Sequence, residues 1–208
     1  MATARFGALM LLGLVGGYRP AVGQAAGAPA AQGPAYPGRY PFTEADVQFV
    51  TGMISHHAQA IVMAGWAPTH DASESIQRLS ERIINAQTDE IALMQAWLRD
   101  RDQPVPEAKP MPVKMMMHGM EHEMMMPGML SDEQMQQLDQ ARGGEFDRLF
   151  LTFMIQHHRG AVTMVEQLLS SPGAGQDEAV YKFSSDIYAD QTTEIERMTK
   201  MLLTLPLR

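Results

Sequence analysis

The chain has 208 residues, no cysteine, 19 methionines and a formal net charge of −8 at pH 7. Without cysteine, disulfides and thiolate metal sites are excluded, so any soft metal ligand must come from methionine or histidine. The acidic balance and the lack of a Lys/Arg cluster speak against nucleic acid and anionic membrane surfaces, which need a basic face.

Residues 1–23 carry Arg5, the apolar run FGALMLLGLVGG and a small-residue cleavage site after Gly23. This is the pattern of a secretory signal peptide, and the run is short for a membrane span. The alternative is an uncleaved anchor. The mature protein is therefore expected to be exported, periplasmic or secreted, with no membrane span after cleavage. Residues 24–42 are Ala-, Gly- and Pro-rich and read as a flexible tether. Residues 43–208 are long enough for one domain with a single core.

Helix signals dominate that domain, and no sustained period of two is read in it. Thr43 opens a capping-box pattern, TEAD, before an amphipathic run that ends ahead of Pro68. DASE at Asp71 opens a second run to about Asp100. Residues 104–130 form a Met-rich crossover loop. SDEQ at Ser131 starts a short helix, Gly143 and Gly144 interrupt it, and a long helix follows from Glu145 to Ser170. The last helix runs from about Gln176 to Leu203.

The two long hairpins repeat each other. Asp46, Phe49, Met53, Ile54, His56, His57, Ala60 and Met63 recur 101 residues later as Asp147, Phe150, Met154, Ile155, His157, His158, Ala161 and Met164. QTDEIALM from Gln87 answers QTTEIERM from Gln191. A duplicated hairpin joined by a long crossover predicts an all-α, four-helix bundle of ferritin-like topology.

Met53, His56, His57, Ala60 and Met63 share a helical stripe, as do Met154, His157, His158, Ala161 and Met164. Adjacent residues diverge by about 100°, so one histidine of each pair faces the bundle interior and the other faces a neighbouring helix. The plain reading is core histidines bonded to Gln87, Glu90, Gln191 or Glu194. Two symmetric pairs flanked by methionine favour metal binding instead, because bundle interiors host such sites. No Glu-x-x-His motif of a di-iron bundle occurs, although Glu90 and Glu194 leave a mixed Glu/His site open. Thioether beside imidazole favours Cu(I), and by softness Ag(I), with Cu(II) as a further candidate. Since imidazole must be neutral to ligate, such a site is expected to weaken below roughly pH 6.

Residues 111–130, MPVKMMMHGMEHEMMMPGML, hold nine Met and two His. Pro112, Gly119, Pro127 and Gly128 break any long helix, so a loop is expected whose deletion over 111–129 spares the fold. Met115, Met116, Met117, His118, Met120, His122, Met124, Met125 and Met126 are its candidate ligands. The alternative is an adaptable hydrophobic docking surface.

The doubled pattern D-x-x-F-x-x-x-M-I-x-H-H-x-x-A-x-x-M, best in GGEFDRLFLTFMIQHHRGAVTM, resembles the family known as domain of unknown function 305 over about Thr43 to Leu205. The resemblance implies a ferritin-like helical fold, a bacterial exported location and, for some members, copper or silver binding in metal tolerance, with no enzymatic activity generally assigned. Gln59 stands where the second copy has Gly160, which predicts a more crowded first copy. The leading expectation is a non-catalytic soft-metal binder that buffers or delivers its ion, exchanging it with a copper-transport or chaperone protein or with free solution. Its rivals are a metal-dependent redox enzyme of the same fold and a helical interaction module with structural histidines. No nucleophile–base arrangement supports a hydrolase.

Overall fold

The computed structural model describes residues 41–117 and 120–205. The expected signal peptide, all but the last two residues of the tether, and His118 lie outside them. Five helices follow in chain order: α1 Glu44–Gly65, α2 Glu74–Arg99, α3 Asp132–Gln140, α4 Gly143–Ser170 and α5 Glu178–Thr204. Two strands, β1 Val113–Met117 and β2 Met120–Met124, stand between α2 and α3.

Each helix boundary has a local cause. The Thr43 side chain accepts from the Asp46 N–H while the Asp46 carboxylate accepts from the Thr43 N–H, a reciprocal cap for α1. Ser131 and Gln134 make the same box for α3. Helix α1 gives way to a 3-10 turn at Ala67–Thr69 that contains Pro68. The second start departs from expectation: Asp71 takes a positive φ of 53° and Ser73 is the N-cap of α2. Asp177 caps α5 by accepting from the Ala179 and Val180 N–H groups.

The hairpins α1/α2 and α4/α5 pack against each other as a four-helix bundle, with α1 beside α4 and α2 beside α5. The repeat exchanges its anchors. Asp46 on α1 accepts from Gly175 N at 2.7 Å, ahead of α5, and Asp147 on α4 accepts from Ser73 N at 3.1 Å, at the start of α2. Each buried carboxylate thus fixes the second helix of the other hairpin, where unpaired backbone N–H groups favour an anion.

The apolar core is in two parts. One gathers Val50, Met53, Ile91, Met94, Met164 and Val180. The other gathers Met63, Ile76, Ile83, Phe150, Met154 and Met198. Because α1 contributes its first half to one and α4 its first half to the other, the two motif helices run in opposite directions. Both histidine pairs fall at the level where the two parts meet.

The crossover is not the unstructured loop expected from its Pro and Gly. Its Met-rich part is an antiparallel ribbon with Val113 opposite Met124, Met115 opposite His122 and Met117 opposite Met120. Alternate strand positions fall on opposite sides, and MEHEM in β2 does alternate. In VKMMM, methionine at successive positions erases the period. Nor is the expectation that residues 111–129 are dispensable upheld, since Met126 and Met129 are buried with the first core part.

Candidate metal centre

All four motif histidines are fully buried. His56 and His157 face each other across α1 and α4 with ring centroids 3.8 Å apart. Within each helix the adjacent rings are more than 6 Å apart, at 6.3 Å for His56 and His57 and 6.2 Å for His157 and His158. The outward member of each pair turns to its hairpin partner. His57 Nε2 lies 2.7 Å from Glu90 Oε2 on α2, and His158 Nε2 lies 2.7 Å from Glu194 Oε2 on α5. Only the second contact is aligned as a hydrogen bond. The expected split into inward and outward histidines is therefore present, and Glu90 and Glu194 are the partners.

These contacts set the tautomers. The Pro127 carbonyl, 3.0 Å from His56 Nε2, can only accept, so His56 carries its proton on Nε2. The Glu194 carboxylate places the His158 proton on Nε2 in the same way. Nδ1 of neutral His56 is then an unprotonated lone pair, and neither it nor Nδ1 of His158 has a hydrogen-bond partner. His57 Nδ1 and both nitrogens of His157 are also unpartnered. Buried polar nitrogens without partners are costly, and a bound cation would satisfy them. Among the described residues, no three His, Asp or Glu side chains converge as a preformed cage.

Burial drives the His56 and His157 pKa well below the ordinary 6.5, and the neighbouring histidines push the same way. Both rings therefore stay neutral and able to ligate to lower pH than a free imidazole, which moves the expected loss of affinity to lower pH. On the outer side of the layer, Asp190 has a raised pKa through partial burial and through the charges of Glu90 and Glu194.

The flanking methionines divide symmetrically. Met53 and Met164 lie in one core part and Met63 and Met154 in the other, so each side of the histidine layer has one methionine from each repeat. Met120, Met124 and Met125 are exposed. Met115, Met116, Met117 and His122 are on the ribbon.

Several residues that build the site carry no metal-ligand signature. A strap of residues 125–130 leaves the ribbon and crosses both motif helices. A Cβ on Gly160 would stand 1.9 Å from the Pro127 carbonyl oxygen, so only glycine admits the strap there. Gln59, the matching residue of the first copy, grips Leu130 through its N–H at 2.7 Å and its carbonyl at 3.1 Å. The expected crowding is thus on the Gly160 side, and Gln59 is a tie. The signal in the sequence was the departure from repeat symmetry at this position.

Residues 46–202 match the family described as Domain of unknown function (DUF305). The fold is similar to that of a DUF305 fragment from Deinococcus radiodurans, at 29% identity and a TM-score of 0.65 over 78% of this chain and 98% of that one. It is also similar to a DUF305 protein of Streptomyces coelicolor predicted to be secreted, at 28% identity and a TM-score of 0.64 over 76% and 92% of the two chains. A third similar structure is CopM in its Cu(I)-bound form, at 27% identity and a TM-score of 0.57 over 77% and 96%. CopM has also been crystallised with Cu(II) and with Ag. No curated protein sequence matches.

Proposed function

The chain belongs to the DUF305 family, and from that premise we propose that it is an exported, non-catalytic carrier of soft metal ions, taking Cu(I) and Ag(I) through histidine and methionine. The observation that carries this reading is the histidine layer, where buried imidazoles from both repeats present ring nitrogens with no protein partner. A purely structural set of core histidines would be expected to use both ring nitrogens. Glu194 orients His158 through a hydrogen bond, the arrangement that raises ligand basicity at metal-binding histidines, and Glu90 lies at the same distance from His57. The binding of Cu(I), Cu(II) and Ag by CopM supports the choice of ion. Buffering or delivery to a copper-transport or chaperone protein is the role that fits an exported carrier of this kind.

An anaerobic Cu(I) titration against a chromophoric chelator tests the reading. The double variant His56→Leu/His157→Leu should lose a discrete tight equivalent, and Leu in place of Met115, Met116 and Met117 should leave that equivalent intact. Unchanged stoichiometry in the histidine variant would refute the interior site. Tight iron at fixed stoichiometry after aerobic purification would point to the redox enzyme instead.

A further inference from the structure

A second set of soft ligands lies apart from the histidines. A cleft of about 390 Å³ opens between the strap, the first half of α1 and the second half of α4, and Met124, Met125, Met126 and Met164 line it. Every other described residue of its lining is uncharged. Met124 and Met125 are 40% and 43% exposed, whereas Met126 and Met164 are each 5% exposed, so the thioethers run from surface to core.

Particular residues shape the cleft. Met126 Sδ sits 2.6 Å from where a Cβ of Gly52 would be, and the Met164 methyl group sits 3.3 Å from the same point. A side chain at residue 52 would force the Met126 sulfur to shift from this position. The residue one repeat later is Phe153, and Met63, the counterpart of Met164, is wholly buried. Pro127, the next residue after Met126, is held by His56 and packed on Gly160, which fixes the backbone that carries the sulfur.

The geometry points to this cleft as a thioether-only Cu(I)/Ag(I) site at the mouth of the histidine layer. The inference rests on the soft-metal reading above and adds a site to it. Four thioethers without a charged neighbour reject hard divalent cations, which need oxygen ligands, and accept a soft monovalent ion. Met126 is one residue along the strap from the Pro127 carbonyl that holds His56, so an ion held there is tied through the strap backbone to the histidine layer.

Silver(I) is the probe, being soft and redox-silent. The full chain, labelled with ¹³C at the methionine methyl groups and ¹⁵N in the imidazoles, is titrated with Ag(I), with single Met→Leu variants to assign the signals. The methyl resonances of Met124, Met126 and Met164 should shift together at the first additions, and Met164→Leu or Met126→Leu should abolish one Ag(I) equivalent. Met→Leu conserves volume, so both variants should fold. Imidazole shifts with unmoved Met126 and Met164 methyl signals would overturn the cleft alone. Silence of both methionine and imidazole signals would overturn the cleft and the soft-metal reading together.

Discussion

His56 and His157 are held neutral by burial, and that has a thermodynamic consequence for the apo-protein. In the unfolded chain each would titrate at its ordinary 6.5. Between that value and the lower folded value the unfolded state binds more protons, so stability is full above pH 6.5 and falls as the pH drops below it. Each histidine adds at most about 1.4 kcal/mol per pH unit over that window. Denaturant unfolding of the apo-protein at pH 7.5 and pH 5 should show the loss, and His56→Leu/His157→Leu should flatten it. A pH-independent midpoint in the parent would contradict neutral burial. Gly160 makes a separate demand. A Cβ there collides with the Pro127 carbonyl, whereas one on Gly65 meets nothing within 4 Å. Gly160→Ala should cost about 1–3 kcal/mol by overpacking, and Gly65→Ala should gain up to roughly 1 kcal/mol. Equal effects in thermal unfolding would mean that the strap is not seated on α4.

At the scale of elements, the helices were legible because each carries its own period and cap: Thr43 with Asp46, Ser131 with Gln134, and Pro68 after α1. The inward and outward division of each histidine pair was legible too, since it follows from helical geometry alone. The ribbon was hidden because three successive methionines in β1 leave no alternating pattern in the sequence, and the strap because its anchors are backbone groups, Pro127 and Leu130, without side-chain signals. The ribbon and the strap differ in energetic weight. Val113 pairs with Met124, so the ribbon's ends already meet, and a short Gly-Ser turn can replace residues 114–123. That replacement should change stability by no more than about 1 kcal/mol. Deletion of 111–129 should cost several kcal/mol, with about 1.5–3 kcal/mol for each buried methionine lost, and it leaves the His56 N–H without its acceptor. Similar unfolding midpoints for the two deletions would show that the strap contributes nothing.

For the whole molecule, the histidine layer separates two apolar core parts that the repeat builds from opposite halves of α1 and α4. The cross-repeat carboxylates Asp46 and Asp147 lock the hairpins at the ends, so the bundle does not need the layer to hold it together. Unpartnered rings in the middle of such a frame are a cost in the apo state that a cation removes on binding. An ion bound only by the folded form stabilises it by RT ln(1 + [L]/Kd), about 2.7 kcal/mol when free ion exceeds Kd a hundredfold. The parent should therefore gain stability with Cu(I) or Ag(I), and His56→Leu/His157→Leu should gain less while its apo form changes little, because apolar packing in place of unsatisfied ring nitrogens offsets the lost His56 hydrogen bond to the Pro127 carbonyl. Paired denaturation curves with and without Ag(I) read both quantities. If the variant's apo form loses several kcal/mol and the silver-induced gain is unchanged, the layer belongs to the architecture and the metal is held elsewhere.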